Sequence, residues 1–140
     1  MVNIFYEDIE NLDLDSVFLE RWLSKVCVSE GKPLGELTLI FCSDDYLLDI
    51  NVRHLNHDYF TDIITFDYTD EDVSGDLFIS VERVRENAES HKTEFVNELY
   101  RVIVHGVLHL LGYNDKSEEE VALMRKREDV ALDLIVPRET

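Results

Sequence analysis

Between Val102 and Leu111 the chain reads Val-Ile-Val-His-Gly-Val-Leu-His-Leu-Leu, apolar on every side of a helix except for His105 and His109. A helix with no polar face has nowhere to lie but inside a core, so the remaining chain must wrap it. The 140 residues, 45% of them hydrophobic, suffice for that, since a chain of this length buries roughly two-thirds of the surface its unfolded form exposes. The same composition excludes disorder, and the length predicts one domain over residues 1–140.

Around that helix, periodicity and cap residues predict the other elements. Strands are expected at Val2 to Tyr6, Glu36 to Cys42, Asp62 to Tyr68 and Gly75 to Ser80, the second because Leu37, Leu39 and Phe41 alternate onto one face. The last two strands are separated only by acidic turn residues and should form a hairpin. Asp15 or Ser16 caps a first helix, whose Phe18, Leu19, Trp22, Leu23 and Val26 recur at 3–4 spacing; Gly31 and Pro33 stop it. Ser43 opens a second helix to about Arg53, with Asp44 and Asp45 in its first turn, where the dipole favours them. Ser80 caps a third helix, to about Ser90, and Thr93 a fourth, Glu94 to Leu111, ended by Gly112. Ser117 and Glu120 form a capping box for the fifth, with Val121, Met124, Ala131 and Ile135 inward and Pro137 closing it. The order β-α-β-α-β-β-α-α-α describes an α+β fold: a mixed sheet of about four strands with about five helices and the histidine helix buried among them.

His105 and His109 are four residues apart and share one face of their helix, with Cβ atoms ~6 Å apart. An unpaired buried polar group costs on the order of 1–3 kcal/mol, and one divalent cation would satisfy two neutral imidazoles at once. Burial should keep them neutral by lowering their pKa. Gly112 suits the left-handed conformation that ends a helix, and such a turn brings Asp115 back toward the histidine face. The spacing His-x3-His-x2-Gly-x2-Asp is that of the metzincin helix and turn, H-E-x-x-H-x-x-G-x-x-H, with Gly106 in place of the Glu and Asp115 in place of the third His. His105, His109 and Asp115 are therefore the candidate ligands of one zinc or similar divalent ion. Three protein ligands leave a fourth corner open, as catalytic zinc sites do. The plainer alternatives are core histidines bonded to carbonyls, a C-cap glycine and a helix-entry acid.

Charge narrows the partners. Thirty-one acidic residues against 13 Lys and Arg give −18, a field that repels polyanions over about a Debye length, ~8 Å at physiological salt. Nucleic-acid binding by net charge alone is excluded, so a bound cation or a local basic patch must attract any RNA. The basic residues Arg83, Arg85, Lys92, Arg101, Arg125, Lys126 and Arg127 read as solvated faces paired with neighbouring acids. No apolar run approaches the ~20 residues of a membrane span, and the acidic start of the chain has no signal-peptide character. Cys27 and Cys42, without a CxxC, read as two buried thiols in a reducing cytoplasm.

The segment His105-Gly106-Val107-Leu108-His109-Leu110-Leu111-Gly112-Tyr113-Asn114-Asp115 resembles the H-G-x-L-H-L-x-G-Y-D-H motif of the YbeY family, metal-dependent endoribonucleases of bacterial rRNA maturation and ribosome quality control. Upstream, Asn51 with Thr61-Asp62-Ile63-Ile64-Thr65-Phe66 resembles that family's N…T-[DN]-V-L-S-F, and Gly75-Asp76-Leu77-Phe78-Ile79 its G-D-I-x-I strand. The order and spacing agree along the whole chain. The resemblance implies a single-strand-type, zinc-dependent endoribonuclease whose partners are rRNA and a ribosomal subunit or ribosomal protein. Two departures stand out. Asp115 occupies the place of the usual third His, and Leu55 that of an Arg assigned to RNA binding or catalysis, leaving Arg53 as the nearest substitute.

The reaction so implied is metal-assisted cleavage of an RNA phosphodiester. Gly106 offers no helix carboxylate as base, so Asp62, Asp76 or His57 is the candidate to assist proton transfer. A non-catalytic ribosome-assembly factor with a structural metal is the alternative from another class. A metallopeptidase is the lesser one, disfavoured by the absent Glu.

Overall fold

A computed structural model describes residues 1–69 and 71–135. Among them, strands β1 (Val2–Tyr6), β2 (Leu34–Cys42), β3 (Ile63–Asp67) and β4 (Val73–Ser80) form one sheet in the order β1-β2-β4-β3. β1 pairs with β2 and β2 with β4 in parallel, while β3 runs antiparallel to β4 as the expected hairpin. The helices are α1 (Ser16–Ser29), α2 (Asp44–Leu55), α3 (Val81–Ser90), α4 (Phe95–Leu110) and α5 (Glu118–Asp133). This is the α+β fold with a mixed sheet that the sequence implies. Pro137 lies outside the described residues.

Strand alternation decides which helix covers which face. Leu37, Leu39, Phe41, Leu77 and Ile79 meet α1 and α4 in the principal core. Cys42, Ile64, Phe66 and Phe78 point the other way and pack with Leu47 of α2. Gly106 lets α4 lie flush on the hairpin: a Cβ there would stand 2.7 Å from Ile63 Cδ1 and 2.9 Å from Leu77 Cδ1. α5 is tied across the molecule by the Trp22 indole, which donates to the Ala131 carbonyl at 2.8 Å.

Caps follow the sequence with one exception. Asp15, Ser43, Ser80 and Ser117 each accept from a first-turn amide, and Ser117 with Glu120 closes the capping box. Thr93 does not cap α4. Its amide is used to end α3, donating to Ala88 after Lys92 takes a φ of 55°, so Glu94 begins α4 without a side-chain cap bond. Val121, expected inward on α5, is 51% exposed, whereas Met124, Ala131 and Ile135 are buried. Cys27 and Cys42 are both buried and unpaired. Burial pushes each thiol up to about 12, with Glu30 adding to the effect at Cys27 and Asp8, Glu7 and Asp44 at Cys42.

Candidate metal centre

α4 carries His105 and His109 one turn apart, rings edge-on with centroids 4.6 Å apart. The turn after α4 is a Schellman closure: Gly112, at φ +107°, donates to His109 and Tyr113 to Leu108. It reverses the chain so that Asp115 returns to the histidines. Tyr113 also anchors the turn, its hydroxyl donating to Glu30 at the end of α1 at 2.7 Å.

Each ring has its Nδ1 occupied. His109 Nδ1 lies 2.9 Å from the Tyr113 carbonyl, which can only accept, so this nitrogen carries the proton. His105 Nδ1 lies 2.6 Å from Glu128 Oε2. With both rings neutral, as metal binding requires, both Nε2 atoms present lone pairs inward. They stand 3.1 Å from each other and each 3.3 Å from Asp115 Oδ2. Three acceptors facing one another with no donor between them call for a cation or a proton at their centre. The spacing fits a metal, because two ligand atoms ~2.0–2.1 Å from a tetrahedral zinc ion are about 3.3 Å apart. Paired Nδ1 partners are also what metal-binding histidines require for fixed tautomer and aim. The three side chains are partly exposed, 23%, 24% and 39%, so the fourth corner of such a site faces solvent.

Sequence reasoning missed Glu128. It is buried on α5, between Met124 and Ala131 on the helix's inner stripe. A carboxylate on a buried stripe was the available signal, since such a group must have partners. Its partners are His105 and Arg101, whose guanidinium donates to Oε1 at 2.8 Å and to Asp129 at 2.7 Å. Burial alone would raise the Glu128 pKa, but the bonds and charges of His105 and Arg101 bring it below the ordinary carboxylate value.

The expectation that burial keeps the imidazoles neutral needs correction at His105. Desolvation does lower its pKa, yet the Glu128 hydrogen bond and the charges of Glu128, Asp62 and Asp115 outweigh it, and the net shift is upward. The histidine helix is apolar, but the wall opposite the ring is built of carboxylates.

A cleft of about 250 Å³ opens beside the trio, lined by Asp62, Asn87, His105, Asp115, Arg125 and Glu128 among others. Of the four candidate assisting residues, only Asp62 is there. It enters β3 with its carboxylate 3.4 Å from Asn87 Nδ2. Burial raises its pKa against the opposing pull of His105 and its own amide, with Glu98 and Glu128 adding to the rise. The other three lie away from the cleft. Asp76 alternates onto the α2 face of the sheet and accepts from the Tyr68 hydroxyl. His57 stacks on Tyr59 in the exposed loop after α2, and Arg53 is exposed and paired with Asp49. Leu55, at the last turn of α2, is 38% exposed.

Comparison with known proteins agrees with the motif reading. The family model described as Endoribonuclease YbeY matches residues 6–135. Proteins named Endoribonuclease YbeY from Flavobacterium johnsoniae and Phocaeicola vulgatus are 52% and 46% identical, over 92% and 96% of this chain and 93% and 99% of theirs. The solution structure of a Thermotoga maritima protein matches with a TM-score of 0.61 and 28% identity, covering 94% of this chain and 89% of that one. With a family model spanning nearly all of its length and relatives of this identity and coverage, the chain belongs to the YbeY family.

Proposed function

We propose that the chain is a zinc-dependent endoribonuclease cutting single-stranded stretches of RNA. Its substrate would be ribosomal RNA in maturation and quality control, presented by a ribosomal subunit or a basic ribosomal protein. The name its relatives bear supports the activity, and the motif resemblance supports the ribosomal setting. The observation that carries the reading is the meeting of three lone-pair donors of His105, His109 and Asp115 at the mouth of a cleft.

Those three residues would hold the ion, which when bound supplies a Lewis acid for a phosphoryl oxygen and an acidified water. Glu128 and the Tyr113 carbonyl keep both Nε2 atoms aimed inward. Asp62 is the proton carrier, since its raised pKa brings it nearer to working pH. Gly106 faces the sheet rather than the cleft, so no carboxylate stands where a peptidase of this spacing keeps its base; this favours the nuclease. One sheet and a shared principal core support a single domain. Two unpaired thiols support a reducing, cytoplasmic setting, and no helix among the described residues is long and apolar enough to cross a membrane.

Elemental analysis of purified protein should find about one zinc per chain, as expected for a single open site. His109→Ala should lose both the ion and cleavage of structured rRNA, and Asp62→Asn should keep the ion while kcat falls roughly 10²–10⁴-fold. Equal cleavage by wild type and His109→Ala would assign the activity to a contaminant, and normal rRNA processing with the ligand variant in cells would favour the assembly factor.

A further inference from the structure

We propose that Arg125 is the residue that grips a phosphate of the RNA strand beside the trio. The inference rests on the endoribonuclease reading and extends it to how a chain of net charge −18 holds a polyanion. Arg125 and His91 line three adjoining hollows, of about 250, 700 and 650 Å³. Together these make a groove that follows α5 from Lys116, past the trio, toward Leu132 and Ile135. Near the trio its wall is acidic, with Asp62, Glu98, Asp115 and Glu128.

Two arginines interrupt that wall, and they differ in what they have left to give. Arg101 is committed, bonded to Glu128 and Asp129 and only 19% exposed. Arg125 approaches its nearest acid, Glu128 Oε1, no closer than 3.7 Å, and its side chain is 56% exposed. That distance is beyond a hydrogen bond, so the buried Glu128 carboxylate attracts Arg125 without taking up its donors. Its guanidinium therefore keeps its donors for a ligand, in the planar fork that matches phosphate oxygens two at a time. Position matters as much as availability. Glu128 Oε1 neighbours Arg125 while Oε2 of the same carboxylate holds His105. The Arg125 guanidinium thus stands across one carboxylate from the His105 ring, on the same cleft as two of the trio, where it can hold a phosphate of a strand that passes them.

The test is fluorescence anisotropy with a labelled single-stranded RNA, run across a salt series beside steady-state cleavage. Arg125→Ala should raise Kd and KM about tenfold, the loss of a charge-assisted bidentate contact, with kcat within twofold and metal content unchanged. The slope of log K against log salt should flatten by roughly 0.7, the value for one phosphate on a single strand. Arg125→Lys should recover part of the affinity. Lys126→Ala, an exposed neighbour on α5 outside the groove, should change neither constant. An unaltered Kd in Arg125→Ala, an equal loss in Lys126→Ala, or loss of metal with Arg125 would overturn the proposal, as would wild-type protein that binds no RNA. Wild type that binds RNA in this Arg125-dependent way without cutting it would leave the contact standing and remove the nuclease reading instead.

Discussion

Glu128 fixes Nδ1 of His105 and raises the pKa of its ring, and through both would govern how that residue holds a metal. Replacing it by Gln keeps an acceptor for Nδ1 but removes the charge that raises the imidazole's pKa. Loss of such an outer partner costs roughly 10–100-fold in metal affinity, so calorimetric zinc titration of Glu128→Gln should show a drop of that size. The pH dependence has a definite sign. Metal must displace the proton on His105, so affinity falls as pH drops through the raised pKa, starting above the ~6.5 of an ordinary imidazole. In Glu128→Gln that decline should begin at lower pH. In the metal-free protein the same pair acts on stability. The raised His105 pKa stabilises below the unfolded imidazole value and is lost as pH rises through the folded one. The lowered Glu128 pKa stabilises above the unfolded carboxylate value and is lost as pH falls through the folded one. The Tm of metal-free wild type should therefore peak between those two windows, and a Tm that is flat across both would refute the pairing.

At the scale of elements, two glycines of α4 and its turn carry different demands. Gly112 has open space around its absent side chain but sits at φ +107°, a conformation that costs a residue with a Cβ about 1–2 kcal/mol. Gly106 has an ordinary helical backbone and no room, against Ile63 and Leu77. Gly112→Ala should weaken zinc binding, because relieving that strain moves Asp115. Gly106→Val should lower the unfolding free energy by roughly 1–3 kcal/mol of overpacking, seen as an earlier denaturation midpoint, with zinc affinity of the folded fraction retained. Comparable zinc affinities in the two variants would contradict this division. The elements most legible in the sequence were those written locally. α4 announced itself by its apolar run, and Asp15, Ser43, Ser80 and the Ser117–Glu120 box act within one turn. Thr93 misled because a tight exit from α3 had already claimed its amide. Glu128 escaped because its partners lie 23 and 27 residues earlier, and a charge on an inner stripe reads as a break in that stripe.

On the scale of the molecule, sheet order separates the cleft from three of the residues expected to serve it. Asp76, His57 and Arg53 sit on or beside the α2 face, while Asp62 is delivered to the α4 side at the entry to β3. Period-2 patterning shows that a strand has two faces without saying which one a distant helix will cover, so this sorting was not legible beforehand. At a charge of −18, salt screens repulsion within the fold, while its ions compete for the cationic contacts that hold RNA phosphates. Screening should relieve self-repulsion and raise Tm modestly, while that competition weakens RNA binding. Calorimetry and anisotropy over one salt series will check that the two trends diverge. The doubly engaged Tyr113 extends the centre's reach, since its carbonyl holds His109 while its hydroxyl holds Glu30. An ion that steadied His109 would be coupled through Tyr113 to the end of α1 and should slow amide exchange there, and by thermodynamic reciprocity fraying at that end would weaken the ion's binding. The first helix of the chain would thus bear on how long an ion held by the trio stays.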